Sequence, residues 1–139
     1  MQVNRKKGLL QIALAADLHS VDQACIIVKD FLQQNDLQQQ QFCIMLGVRE
    51  ALNNAVVHGS KACQDPEIFL ELNLLPKQVR LSVQDQGPGF DWQQVMQKPL
   101  QVDSEHGRGL CIMRSYFDHI FYNARGNKVV MELNLGQAS

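Results

Sequence analysis

The sequence predicts a two-layer sandwich of the α/β (α+β) class, with a mixed, largely antiparallel sheet and its helices on one face. Three observations carry this. Apolar and polar residues alternate over 68–74 and again over 79–83, with Leu75-Pro76-Lys77-Gln78 between, the pattern of two half-buried strands in a hairpin. A second hairpin is signalled by 120–124 and 129–135, joined through Gly126-Asn127. The remaining periodic segments have helical spacing. The resulting order is strand, helix, helix, strand, strand, loop, helix, strand, strand, which leaves hairpin-joined strands to be covered by helices. With 139 residues, 45% of them hydrophobic, a single domain over 1–139 with one core is expected.

Each element has its own signal. Residues 9–15 read as the first strand. The preceding Arg5-Lys6-Lys7 and the run Gly8 to Ala16 also imitate a short signal peptide, but Gln11 interrupts the apolar run and cleavage would remove a strand that the domain needs. Asp17 to Ser20 forms a helix entry, and 21–32 is a helix with Ala24, Ile27, Val28, Phe31 and Leu32 inward. The Gln-rich stretch 33–41 is a loop and the exposed start of a long helix over 38–58, which Gly59-Ser60 ends. Residues 86–106 lack strong periodicity. Gly107 opens a further helix with Leu110, Met113 and Phe117 on one face.

Composition excludes several classes of function. A net charge of −1 offers no basic surface for nucleic acid. No run approaches the roughly 20 apolar residues that cross a bilayer, so no membrane partner is expected. The four cysteines, at 25, 43, 63 and 111, form no Cys-x-x-Cys pair and no zinc spacing, and read as reduced thiols of a cytoplasmic protein.

The chemistry lies in three short patterns. Glu50, Asn54 and His58 follow one another at intervals of four on the long helix. Each step turns the helix by about 40°, so the three share a stripe about 80° wide. Asn53 points about 100° away from Asn54. An amide oxygen suits Mg²⁺, and a carboxylate one turn away can deprotonate a nucleophile near a metal-bound phosphate. Next, alternation puts Asp85 on the inward face with Val79, Leu81 and Val83, where a carboxylate needs a donor such as the exocyclic amine of a purine. Gly87-Pro88-Gly89 follows at once and allows a sharp turn and close approach to a flat ligand. Finally, Gly107-Arg108-Gly109-Leu110 at a helix start offers free backbone N–H groups to phosphate. It is neither a Walker A loop nor a dinucleotide fingerprint. Taken singly, the three patterns also fit a polar helix end, a surface turn and a glycine cap.

In this order, Glu-x-x-x-Asn, Asp-x-Gly-x-Gly and Gly-x-Gly-Leu resemble the N, G1 and G2 boxes of the GHKL ATPase superfamily, over nearly the whole chain. The stretch Val48 to Gly59, with its His-Gly ending, and Gly107 to Met113 are most similar to the anti-sigma-factor serine/threonine kinase branch. The resemblance implies the Bergerat ATP-binding fold and ATP with Mg²⁺ as cofactors. It makes Glu50 the general base, Asn54 the Mg²⁺ ligand and Asp85 the adenine contact. His58, Gly87, Gly89, Gly107, Arg108, Gly109 and Leu110 complete the nucleotide pocket, and residues 91–106 become a lid. The implied activity is transfer of the ATP γ-phosphate to a serine or threonine of a small antagonist protein, within a partner-switching circuit. A sigma factor and a second copy of the chain are the other implied partners. The alternative is a module that binds ATP and sequesters a partner with weak or no transfer. Two departures stand out. The turn Gly126-Asn127-Lys128-Val129-Val130 lacks the Thr that many superfamily members place near the adenine, and the first helix has Lys29 but no Arg.

Overall fold

The computed structural model describes residues 1–59, 64–89, 91–93 and 113–136. Its elements are β1 (Gln2–Lys6), β2 (Leu9–Ala15), α1 (Leu18–Gln34), α2 (Gln41–Gly59), β3 (Glu67–Leu74), β4 (Gln78–Gln84), β5 (His119–Tyr122) and β6 (Lys128–Asn134). Residues 113–116 are also helical. The strands form one six-stranded sheet in the order β1-β2-β3-β4-β6-β5. Every one of its pairings is antiparallel. The expected two-layer sandwich is therefore what forms.

Alternation decides which face is buried. Leu10, Ile12 and Leu14 of β2 register with Leu72, Leu70 and Ile68 of β3. In β4, Leu81 and Val83 pair with Met131 and Val129 of β6. All of these are buried, and they meet Val21, Ala24, Val28, Phe31 and Leu32 of α1 and Ile44, Val48, Ala51, Leu52 and Ala55 of α2. Each Leu, Ile, Val, Phe and Met among them contributes about 1.5–3 kcal/mol on leaving water. The opposite sheet face carries Gln11, Glu71, Arg80 and Glu132, tied by Gln11–Glu71 and Arg80–Glu132 bonds of 3.0 and 2.9 Å.

Four boundaries differ from the sequence reading. β1 was not expected, because its five residues are all exposed and carry no alternation. It forms as an edge strand paired with β2 across the Lys7-Gly8 turn, where Gly8 takes φ +73°. Its polar, basic character suits an edge that must not recruit further strands. Helix α1 begins three residues earlier than expected, at Leu18. Asp17 is its cap, with extended backbone and a carboxylate that accepts from the Ser20 N–H at 2.8 Å. Helix α2 begins at Gln41, and β5 stops at Tyr122 because Asn123 turns the chain.

Between β4 and β6 the connectivity jumps. The chain leaves β4, reaches the far edge as β5, and returns as β6 beside β4. Met113 and Phe117, inward as expected, pack on the helical layer. The Phe117 ring lies so close over Gly47 that a Cβ there would run into it. Cys25 is buried and Cys43 half-buried, both as free thiols, and burial pushes the Cys25 thiol up from its ordinary pKa. Cys63 and Cys111 lie outside the described residues. No helix among the described residues is long and apolar enough to cross a membrane.

The Asp17 cap gives a direct test. Asp17→Ala is expected to cost about 1 kcal/mol, read as a lower midpoint in urea unfolding with an unchanged slope. Asp17→Ser should restore most of it, since a hydroxyl oxygen can take the same amide.

Candidate functional site

The site begins where three chain segments touch. The last turn of α2, the turn after β4 and the turn after β5 approach one another through glycines. A Cβ on Gly59 would lie 2.7 Å from the Asp85 Cβ. On Gly87 it would overlap the carbonyl oxygen of His58. At Gly89, where φ is +82°, it would overlap the carbonyl of Arg125. The sequence reading assigned Gly87 and Gly89 to ligand approach. In the structure, Gly89 is closed in by backbone, and Gly87 by backbone and the Asp85 carboxylate.

Asp85 lies at the centre. It is only 7% exposed and sits on the inward face, as alternation predicts. Its N–H donates to the Asn127 carbonyl at 2.9 Å, which extends the β4–β6 ladder by one step. Its Oδ1 accepts from the Gly87 N–H at 2.7 Å. Among the described residues nothing donates to Oδ2. Burial raises the carboxyl pKa above its ordinary value, partly opposed by the Gly87 amide and by the charges of His58 and Arg125. A half-satisfied, desolvated acceptor fits a ligand that brings an N–H donor.

Asn54 and His58 from α2 line the same cavity as Asp85, together with Asn127 and Tyr122. Thus three of the residues named from sequence come together. Glu50 is half-buried one turn earlier on the helix and does not line that cavity. The cavity is small, ≈ 30 Å³, room for about one water. A broader hollow of ≈ 590 Å³ lies on the outer sheet face, but Asn4, Gln11 and Glu71 along it already bond to one another. Gly107, Arg108, Gly109 and Leu110 lie outside the described residues, as does the expected lid except for 91–93. Asn53, set aside in the sequence, has a buried Oδ1 without a donor, for which the structure offers no account.

The sequence reading missed Asn123 and Asn127. Asn123 Oδ1 accepts from the N–H groups of Gly126, Asn127 and Lys128 at 2.8–3.2 Å, while its amide donates to Asn127 Oδ1 at 2.6 Å. Asn127 Nδ2 in turn donates to the carbonyls of Asp85 and Gly87, both at 3.3 Å. Asn127, in the region where a Thr was missing, thus holds the Asp85 turn against β6. The signal was present: two Asn residues flanking Ala-Arg-Gly are typical of side chains that cap a turn. Tyr122 was also missed. Its ring stacks on Trp92, with centroids 5.7 Å apart and planes 17° from parallel. Burial pushes its phenol up to about 12.

A family model described as the histidine kinase-like ATPase domain matches residues 14–133. The chain belongs to this family. The resemblance read from the three glycine and amide patterns is thereby borne out. Among its relatives, an anti-sigma F factor of Clostridium perfringens is 24% identical over 117 residues, covering 78% of this chain and 84% of that protein. Anti-sigma F factors of Priestia megaterium and Clostridium novyi are 28% and 22% identical over 120 residues, covering 82% and 81% of this chain and 82% and 84% of theirs. An ATPase domain implies that the chain binds ATP.

Two outcomes follow for this ATPase domain. The folded-state pKa of Asp85 lies above its unfolded value, so the native state binds the proton more tightly and gains stability as pH falls through that pKa. Asp85→Asn is therefore expected to raise the ligand-free Tm at pH 7, with the gain shrinking towards the ordinary carboxylate range. A gain independent of pH would refute the assignment. Asn127→Ala should cost about 1–3 kcal/mol in denaturant unfolding, because it removes the side-chain donor to the buried Asp85 carbonyl and the acceptor of the Asn123 amide, and leaves the Gly87 carbonyl only the longer Arg125 bond.

Proposed function

We propose that this chain is an ATP-dependent protein serine/threonine kinase of the anti-sigma-factor type, acting on a small antagonist protein. The observation that carries the reading is buried Asp85, whose Oδ1 already takes the Gly87 amide, in a cavity shared with Asn54 and His58. Relatives named anti-sigma F factor, aligned over most of both chains, support the regulatory class. The name of those relatives supports a sigma factor as one partner; an antagonist as the phosphoacceptor is part of the proposal. A homodimer and a cytoplasmic setting belong to the same proposal.

In this reading Asp85 Oδ2 accepts the exocyclic amine of adenine, while Oδ1 keeps the Gly87 amide. An adenine ring presents that N–H, whereas guanine presents a carbonyl that would face the carboxylate unfavourably. Asn54 Oδ1 would hold Mg²⁺ through its hard amide oxygen, with His58 beside it. When bound, the ion neutralises charge on the β- and γ-phosphates. Backbone N–H groups of Gly107, Gly109 and Leu110, with Arg108, would receive the phosphates. Glu50 takes the proton from the acceptor hydroxyl as that oxygen bonds to the γ-phosphorus. The bond from the γ-phosphorus to the bridging oxygen breaks, and ADP departs with the electron pair. Glu50 is half-buried and does not line the cavity, which suits a group that meets a protein substrate and not the adenine.

The test separates binding from transfer. Glu50→Ala should keep ATP affinity within about twofold and lower γ-phosphate transfer to the antagonist by roughly 10²–10⁴. Asn54→Ala should abolish the magnesium-dependent part of the ATP-induced rise in Tm. Wild-type protein that is stabilised by ATP but phosphorylates no small antagonist protein would instead support a partner-sequestering binder.

A further inference from the structure

We infer that Phe117 is the positioning residue for Glu50, acting through its contact with Gly47 on α2. Glu50 stands three residues after Gly47, within about 60° of it around the helix axis. Asn54 and His58 lie further along, each within about 20° of the same direction. Gly47 therefore belongs to the stripe that carries the three polar groups, one turn before the first of them. The Phe117 ring covers the stripe at that point, and leaves no room for a Cβ on Gly47. Phe117 itself is buried and does not line the cavity with Asp85.

The ring is held from both sides along the chain. The Phe117 N–H donates to the Met113 carbonyl at 3.0 Å. Met113 is buried and lines the cavity with Asn54, His58 and Asp85. One residue after Phe117, the Asp118 N–H donates to the Glu132 carbonyl of β6 at 2.9 Å, so the chain enters the sheet at once. Tyr116 adds a second contact with α2, edge-on to Phe42 with ring centroids 6.0 Å apart. Phe117 thus transmits the position of the sheet and of the cavity wall to the helix.

Apolar residues such as Ile44, Val48 and Leu52 hold α2 on the core, and two glycines let it approach its neighbours closely. Gly59 lies against Asp85, and Gly47 against Phe117. About 18 Å of helix separates them, with Glu50 and Asn54 between. The Gly59 contact is near Asn54 and His58, whereas the Gly47 contact is the one beside Glu50. A general base must come within about 2.6–3.2 Å of the proton it takes, and a misplacement of about 1 Å can cost about 10²-fold. Nucleotide binding makes no such demand on Glu50. The Phe117 contact therefore bears on transfer and leaves ATP affinity alone.

The inference rests on the kinase reading, and the experiment keeps the two apart. Mg-ATP affinity is measured by calorimetry. Transfer of the γ-phosphate to a small antagonist protein is followed in single turnovers at saturating ATP. Phe117→Leu should lower transfer about tenfold and keep ATP affinity within about twofold. In the Glu50→Ala background the same change should lower the residual transfer less than about twofold, because the group it positions is gone. Gly47→Ala should lower transfer as well, and Gly47→Ala combined with Phe117→Leu should recover most of it, since the methyl enters space that the ring vacates. If Phe117→Leu does not fold, Phe117→Met, closer in volume, takes its place in the cycle. Unchanged transfer in the Phe117 variant, an equal loss with and without Glu50, or a matching loss of ATP affinity overturns the inference while the kinase reading stands. A wild type that binds ATP and phosphorylates no antagonist protein ends the kinase reading and the inference with it.

Discussion

The site depends on one contact, the close approach of the end of α2 to the turn after β4. Helix and strand ends can meet there only because Gly59 and Gly87 carry no side chains. The α-carbon of Gly87 lies under the His58 carbonyl, and that of Gly59 lies against Asp85. Adding a single methyl at either position would push helix and sheet apart. Since Asn54 and His58 ride on the helix and Asp85 on the strand, that separation would also take the cavity apart. The glycines therefore act first on the protein's own packing, and the ligand site is a consequence.

The same contact explains why a carboxylate is tolerated in a buried position. Asp85 is held by backbone on both sides: its own N–H is spent on Asn127, and its Oδ1 on Gly87. Asn123 and Asn127 fix the turn that receives it, through a set of bonds no longer than 3.3 Å. This frame cannot let the carboxylate rotate away to water. The desolvation cost is then carried by the ligand-free fold, and in the proposed reading a donor-bearing ligand would relieve it on binding.

Much of this was legible in the sequence. The two hairpins, the covering helices and the inward direction of Asp85 all followed from strict alternation, a signal that survives folding because the pleat enforces it. Glu50, Asn54 and His58 followed from helix geometry, which put Asn54 and His58 into one cavity. β1 was not legible, since a polar edge strand is specified by its partner and by the Lys7-Gly8 turn rather than by its own pattern. The Asn123–Asn127 pair escaped because its work is done on backbone groups forty residues away, at Asp85 and Gly87. Trp92 and Tyr122 escaped for a similar reason: only the sheet order brings a residue after β4 beside the end of β5.

That sheet order also divides the labour within the site. The cavity groups Asp85, Asn127 and Tyr122 stand on or next to strands β4, β5 and β6, which are hydrogen-bonded through β6 and anchored by Leu81, Val83 and Met131 in the core. Glu50 and Asn54 stand instead on α2, which is fixed to the core through Ile44, Val48, Ala51, Leu52 and Ala55. In the proposed reading the strands carry the groups that would select the ligand and the helix those that would act at its reacting end, so one helix–sheet contact sets the distance between the two halves of the site.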